Sequence, residues 1–208
     1  MDKQLMPASW KAKWIDPELP HDKEARQPAS VLRRRFTAGA ARDAWLFITC
    51  HGLYEAFLNG QRVGDFVLAP GVDDYKKRLQ VQAYDVSALL REGENELLVT
   101  LGDGWYRGNN GIDGSHNLSG SDLALLLQLE ADGSPLVVSD ESWGASQEGP
   151  IRLTDMELGT GNMDLDGLLS IARENGVEKI VLESHKNWID KDPVRSLEVS
   201  AQWLNGRF

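Results

Sequence analysis

Apolar-rich stretches of strand length, separated by turn-forming residues, occupy the chain up to about residue 155. They span residues 29–37, 43–51, 53–60, 61–68, 78–86, 95–102, 122–131 and 134–140. Two of them contain "AWLFITC" and "LALLLQL", which are apolar on both faces, as is typical of strands buried within a sandwich. Because short strands outnumber helices here, the pattern predicts two packed β-sheets.

Turn signals indicate where the chain reverses between these strands. Asn59 and Gly60 lie between two of the stretches. Asn-Gly favours a two-residue hairpin because both central positions of the turn need a positive φ. The segment "SALLREGEN" predicts a single short helical turn closed by Gly93.

After about residue 157 the pattern changes to helical spacing. Leucines and alanines recur at Leu165, Leu168, Leu169 and Ala172, and Gly176 is placed as a stop. The run "EKIVLES" that follows is a predicted buried strand.

A second helix is predicted over residues 192–206. Asp192 is its expected N-cap and Pro193 takes the first helical position. Its apolar positions line one face and are Val194, Leu197, Ala201 and Leu204.

These elements form a helix–strand–helix unit whose strand has no neighbour of its own. An isolated strand leaves backbone groups unpaired, so the strand around Ile180 is expected to join an edge of the sandwich or to pair with another copy of the chain. The second outcome would make a homo-oligomer. The sequence therefore predicts a β-sandwich domain over residues 1–156 and an α/β tail over residues 157–208.

Charge and composition exclude several classes of partner. The 208-residue chain has a net charge of −10, which argues against nucleic acid because binding there depends on Lys and Arg. The basic run at residues 33–35 alternates faces in an extended strand and is interpreted as a solvated sheet face. No apolar run approaches membrane-spanning length. The start has no apolar signal-peptide core, and the lone Cys50 cannot form an internal disulfide, so we expect a cytoplasmic protein. Cys50 itself is expected to be a buried structural thiol.

Three motifs imitate known sites and are set aside. The glycines of "GDGWYRG" miss the dinucleotide fingerprint by one position and precede a polar loop instead of a helix. The stretch "NMDLDG" starts like a calcium loop, but Arg173 stands where that loop needs its bidentate Glu. Acidic pairs such as Asp103 and Asp113 are too weakly specific to predict a glycosidase site. No catalytic residue and no metal ligand is assigned.

The stretch "LGDGWYRGNNGIDG", residues 101–114, is the candidate binding loop. It combines aromatic faces that can stack on a sugar with side chains that can bond its hydroxyls, and these residues are Trp105, Tyr106, Arg107, Asn109, Asn110 and Asp113. The alternative is that Trp105 and Tyr106 plug the core while the glycines let the chain turn around them. The residue types alone slightly favour the core-plug alternative, and both readings stay open.

Several stretches then follow one another in a specific order. They are "AKWI", the run from His51 to Gly111 with its "NG", "PG…Y", "YDV" and "LGDGWYRG" turns, "LALLLQLEADGSPLVVSDESW" and "GPIRLTD". In this order the segment from Trp10 to Asp155 resembles the N-terminal β-sandwich of bacterial alpha-L-rhamnosidases. That resemblance implies a jelly-roll fold of the galactose-binding type.

The resemblance also implies an accessory function. In that family a large helical (α/α) barrel hydrolyses terminal L-rhamnose with acidic residues, and nothing in these 208 residues is similar to it. Related modules bind rhamnose, in some members through calcium, which is the one cofactor that the resemblance suggests. The polar and aromatic residues on matching stretches are Asn59, Asp103, Trp105, Tyr106, Arg107, Asn109 and Asn110.

The tail resembles a different family. "LGTGNMDLDGLLSIARENGVEKIVLESHKNWIDKDPVRSLEVSAQWLN" looks like the C-terminal end of xylose isomerase-like sugar isomerase/epimerase barrels. Glu183 matches the metal-binding glutamate at the end of their last strand. A lone carboxylate does not hold a catalytic metal, so no metal role is expected for Glu183.

The leading hypothesis is therefore a non-catalytic accessory β-sandwich that binds rhamnose-containing carbohydrate weakly. Two alternatives stay open. One is an alpha-L-rhamnosidase or a sugar isomerase whose site is completed by oligomerisation or by further domains, and the other is a purely structural module. Exposed rings at Trp105 or Tyr106 would favour binding, and full burial would favour the structural module.

Overall fold

The computed structural model describes residues 6–17, 19, 28–108, 117–149, 151, 165–176, 192–205 and 207. The chain divides into two compact units. The first comprises Met1–Pro20 with Ala29–Gly149, and the second comprises His21–Pro28 with Pro150–Phe208. The predicted boundary between residues 156 and 157 lies outside the described residues.

The described part of the first unit is mainly β. Its elements are β1 Ser30–Ala38, β2 Ala44–His51, β3 Leu53–Leu58, β4 Gln61–Arg62, β5 Gln82–Asp85, β6 Gly93–Gly102, α1 Gly104–Arg107, β7 Ala124–Ala131, β8 Ser134–Val138 and β9 Gly144–Ser146. They form a five-stranded sheet of order β4-β3-β6-β1-β9 and a four-stranded sheet of order β5-β2-β7-β8. All strand pairs are antiparallel, so the predicted pair of β-sheets is confirmed.

The two sheets share one apolar core. Alternate residues of the long strands are fully buried in it, and these include Leu46, Ile48, Leu97, Val99, Leu101, Leu125, Leu127 and Leu129. Cys50 lies in the same core, where burial raises the pKa of its thiol. The prediction of a buried structural thiol is thus confirmed.

The opposite face of the four-stranded sheet is also covered, which explains why its strands are apolar on both faces. Residues 9–15 lie along β7, with Ile15 and Leu125 exchanging backbone hydrogen bonds of 3.0 and 2.9 Å. The buried amide of Gln128 accepts from the backbone N–H groups of Lys11 and Ala12 and donates to the carbonyl of Ser9. This covering segment was not predicted.

The hairpin predicted at Asn59 and Gly60 is confirmed. Their φ angles are 54° and 78°, and β3 pairs with β4 across them. The Asn59 amide is also tied to the start of β6, because it donates to Leu89 O and to Asn95 Oδ1 and its Oδ1 accepts from Glu96 N. The turn is thereby anchored to a neighbouring strand.

Two predicted strands are shorter than expected and two elements are new. Residues 61–68 form a strand only at β4, because positive φ angles at Gly64 and Leu68 turn the chain away from the sheet. The stretch 78–86 forms a strand only as β5. The one-turn helix α1 and the short edge strand β9 were not predicted.

The arginines of residues 33–35 alternate between the two faces of β1, as predicted. Arg33 and Arg35 pair with Glu96, whereas Arg34 donates to the carbonyl of Ser142.

The described part of the second unit contains two helices, α2 Leu165–Glu174 and α3 Pro193–Leu204. The predicted start of α3 is confirmed, since the Asp192 side chain accepts from the N–H groups of Val194 and Arg195. The predicted stop after α2 is confirmed by Gly176, at φ 72°. The strand predicted at 178–184 lies outside the described residues.

The apolar face predicted for α3 is not its buried face. Val194 is 62% exposed and Leu197 is also exposed, whereas Ser196 and Ser200 are buried. Helical periodicity shows where the apolar residues lie, but it does not show which face of the helix becomes buried. In α3 the buried face carries Ser196 and Ser200. On α2, Leu169 is buried while Leu168 is exposed.

Candidate functional site

The described part of the candidate loop continues from β6 into α1. Gly104 opens this helix with a φ of 52°, and a Cβ there would lie 2.5 Å from Cγ of Leu53. Only a residue without a side chain fits this approach, so the chain turns sharply beside β3. Within this turn Trp105 is partly exposed and Tyr106 is buried. Asn109, Asn110 and Asp113 lie outside the described residues.

Tyr106 points inward and is only 7% exposed. Its hydroxyl donates to Oδ1 of Asp122 at 3.0 Å. Burial, with the hydrogen bond and the negative charge of Asp122, raises the pKa of Tyr106 to about 12. A Cβ at Gly120 would overlap the phenol ring, so this glycine makes room for it. Tyr106 therefore follows the core-plug alternative.

Trp105 points outward and is 37% exposed. Part of its surface therefore faces solvent, and whether it binds a ligand stays a prediction. The sequence analysis assigned both rings to the same environment, either exposed to a ligand or buried in the core. In the structure they differ, because Tyr106 is buried and Trp105 is partly exposed.

Arg107 is largely bound within the protein. Its Nε donates to Oδ1 of Asp103 at 2.5 Å, and its Nη1 donates to the carbonyl of Ser121 at 3.4 Å. The guanidinium thus links Asp103 in the candidate loop to Ser121, which precedes β7, and this limits the donors that it can offer to a ligand.

Three side chains that sequence reasoning missed contact one another and Tyr106 beside this loop: Trp14, His51 and Tyr75. We call these four rings the aromatic ladder. The His51 ring lies between Trp14 and Tyr106, with ring centroids 4.4 Å from each and interplanar angles of 26° and 11°. Tyr75 meets Tyr106 edge-on at 5.2 Å. Such stacked and edge-to-face geometries are the favoured ones for aromatic pairs.

Asp122 organises the polar side of the aromatic ladder. Its Oδ2 contacts Nδ1 of His51, while Oδ1 accepts from Tyr106. Burial acts to raise the pKa of Asp122, but the hydrogen bonds from His51 and Tyr106 and the electrostatic interaction with the His51 ring outweigh it, so the pKa of this carboxyl lies below its usual value. The Asp122 side chain is 48% exposed, so the carboxylate remains accessible from solvent.

No pattern in the sequence links these residues. Trp14 belongs to "AKWI", His51 ends β2 and Asp122 precedes β7, so the three are brought together only by the pairing of residues 11–17, β2 and β7. Trp14 is 42% exposed.

Among the described residues, no group of three or more His, Cys, Asp or Glu side chains could hold a metal ion. Within the same ranges, no helix is long and apolar enough to cross a membrane.

Residues 39–165 match the alpha-L-rhamnosidase N-terminal domain family, which is more than half of the chain. The chain belongs to this family. A curated relative, the alpha-L-rhamnosidase of Streptomyces avermitilis, is 48% identical over 134 residues, or 62% of this chain and 13% of the relative. The resemblance predicted for the β-sandwich is therefore confirmed.

Solved structures of family members have the same fold. The native enzyme from Aspergillus terreus aligns with a TM-score of 0.65 and 41% identity over 70% of this chain and 18% of its own. The Streptomyces avermitilis enzyme complexed with L-rhamnose aligns with a TM-score of 0.58 and 42% identity over 63% of this chain and 13% of its own. The present chain thus spans less than a fifth of the length of these proteins.

Proposed function

We propose that this chain acts as a non-catalytic accessory domain of the alpha-L-rhamnosidase type and binds rhamnose-containing carbohydrate weakly. The observation that carries the proposal is the outward, partly exposed ring of Trp105 in the loop that the sequence marks as a binding loop. Membership of a family of glycoside hydrolases supports a sugar as the ligand, and the related structure complexed with L-rhamnose supports that sugar in particular.

Isothermal titration of the full chain with L-rhamnose and with an alkyl rhamnoside tests this proposal. We expect binding with a millimolar Kd, and D-glucose at the same concentration serves as the specificity control. Parallel titrations with calcium and with a chelator test whether the ion contributes. The absence of heat and of any tryptophan fluorescence change at millimolar rhamnoside would contradict the proposal.

A structural module is the second candidate, because Tyr106 and Arg107 are engaged inside the protein. A chain that binds no sugar, but loses stability when Tyr106 is changed, would favour this candidate.

The remaining alternative, an enzyme whose site is completed by oligomerisation, is tested with an aryl rhamnoside. We expect no turnover, and a monomeric mass in solution would rule out a shared site.

For the tail, we propose an α/β fragment related to the end of sugar isomerase barrels. The capped start of α3 at Asp192 and Pro193 and the glycine stop after α2 support it. Because a metal needs several ligands, we expect Glu183→Gln to leave zinc, manganese and calcium binding unchanged. Metal binding lost in this variant would contradict that expectation.

A further inference from the structure

We propose that Asn175, which precedes Gly176 at the end of α2, is a site of spontaneous deamidation, whereas Asn59, which precedes Gly60 in the β3–β4 turn, is protected from the same reaction. The chain has Asn-Gly pairs at residues 59–60, 110–111, 175–176 and 205–206. Both members are described only for the pairs at 59–60 and 175–176. The reaction needs no ligand and is therefore independent of the proposed function.

Deamidation of asparagine needs only the chain and water. The backbone nitrogen of Gly176 loses its proton to solvent base, attacks Cγ of Asn175 and closes a five-membered succinimide ring. The Cγ–Nδ2 bond breaks, and Nδ2 leaves as ammonia after taking a proton from water, which restores the base. Water then opens the ring at either carbonyl and gives aspartate or isoaspartate. A following glycine favours ring closure, because it has no Cβ to hinder the approach and reaches backbone angles closed to other residues.

Asn175 is accessible and is held only by bonds to the last turn of α2. Asn175 and Gly176 are both exposed. Nδ2 of Asn175 donates to Ile171 O at 2.8 Å, and the N–H of Gly176 donates to Arg173 O at 3.0 Å. Helix ends fray, and a helix of 10 residues is marginal in water. Fraying of this one turn therefore frees both the attacking nitrogen and the side-chain amide.

Asn59 is held at both polar atoms of its side chain. Nδ2 donates to Leu89 O at 2.9 Å and to Asn95 Oδ1 at 2.8 Å, and Oδ1 accepts from Glu96 N at 3.0 Å. The side chain is also partly buried. Its Cγ cannot swing towards the nitrogen of Gly60 unless the hairpin separates from the entry of β6. Such an opening breaks three hydrogen bonds at once and is rarer than the fraying of a helix end.

Deamidation of Asn175 would change α2 in two ways. It places a negative charge at the carbonyl end of the helix, where the macrodipole is already negative. The isoaspartate product also inserts Cβ into the main chain and moves the N–H of Gly176 away from Arg173 O. Both changes weaken the last turn of α2, so the chemical ageing of this pair acts on the second unit.

Peptide mapping of the full chain, incubated for increasing times at mildly alkaline pH and physiological temperature, tests the proposal. Trypsin separates the two sites, because it releases residues 174–179 and residues 43–62 as different peptides. We expect the Asn175 peptide to deamidate at least about tenfold faster than the Asn59 peptide, because three hydrogen bonds are together worth at least that factor. Paired aspartate and isoaspartate products should identify the succinimide route.

The matched control is the same chain unfolded in urea. Both sites have the same pair of residue types, so their rates should then agree within about threefold. Asn175→Gln should abolish the reaction at residue 175, because glutamine would have to close a larger ring, and should leave residue 59 unchanged. Asn95→Ala removes one acceptor of the Asn59 amide and should speed the reaction there by at least about threefold.

Each result supports or overturns the proposal. Native rates that are equal at the two sites, or slower at Asn175, overturn it. A native difference that persists at the same size in urea assigns the effect to neighbouring sequence and overturns the structural cause. An Asn59 rate that stays unchanged in folded Asn95→Ala overturns the protective role of that bond, and if this variant does not fold, the comparison of native and urea-unfolded wild type still decides.

Discussion

Asp122 is the residue on which the candidate site depends most. It contacts two members of the aromatic ladder, one through each carboxylate oxygen, and both contacts favour its charged form. Protonation would remove an acceptor from Tyr106 and the charge that orients His51. The geometry of the aromatic ladder should therefore respond to acid.

The stability of the sandwich should fall in acid partly through this carboxyl. Its pKa in the folded protein lies below the ordinary 3.8, so its contribution is fully present above pH 3.8 and is lost as the pH falls through the lower folded value. We expect wild type to lose more stability than Asp122→Asn between pH 5 and the acid range, as measured by urea unfolding at several pH values. Asp65→Asn, a change at an exposed loop carboxylate, is the control and should follow wild type.

Equal acid sensitivity of wild type and Asp122→Asn would contradict this prediction. It would mean that the bonds from His51 and Tyr106 persist in the unfolded chain or are replaced equally by water.

At the scale of elements, the β3–β4 hairpin shows how a local signal can be reinforced at long range. Asn59 supplies the positive φ of the turn and also three side-chain hydrogen bonds to Leu89, Asn95 and Glu96. Asn95 is itself buried and bonded to Arg91 and Gly93, so the network links the hairpin to the entry of β6.

Replacing Asn59 should separate these two contributions. Asn59→Ala loses the hydrogen bonds and strains the turn, and we expect a loss of about 2–4 kcal/mol in the free energy of unfolding. Asn59→Gly loses the same bonds but accepts the positive φ, so it should be about 1 kcal/mol more stable than the alanine variant. Denaturant unfolding measures both. If both variants unfold at the wild-type midpoint, the network adds nothing to stability.

Local chemistry predicted the elements better than their arrangement. The Asn59–Gly60 turn and the Asp192 cap were predictable because each depends on neighbouring residues and on backbone angles. The burial of Ser196 in place of Val194 was not predictable, because it depends on which surface meets the helix. For the site, the sequence identified Trp105 and Tyr106 but missed Trp14, whose role depends on contacts with residues more than 30 positions away.

At the scale of the whole molecule, the described parts of the two units differ in how well they are covered. Strand β6 is hydrogen-bonded on both sides, by β3 and by β1, and its inward side chains are fully buried. Helix α2 has 10 residues and buries Leu169, while Leu168 and Ile171 are exposed. Short helices with little burial are marginal in water.

Hydrogen exchange should reveal this difference. We expect the amides of residues 97–101 in β6 to exchange at least about a hundredfold more slowly than those of α2, because the former open only when the sandwich unfolds. Exchange followed by mass spectrometry of the full chain measures both segments in one sample. Similar protection in the two segments would show that the units unfold together.

The seam between residues 9–15 and β7 has a consequence for biosynthesis. Lys11 and the Gln128 amide that receives it are 117 positions apart, and Lys13 bonds to Ser139 across 126 positions. Residues 9–15 are therefore translated well before β7 and Ser139, the parts of the sandwich to which they bond. Because contacts between residues so far apart in sequence form slowly, we expect this seam to close only after β7 has left the ribosome.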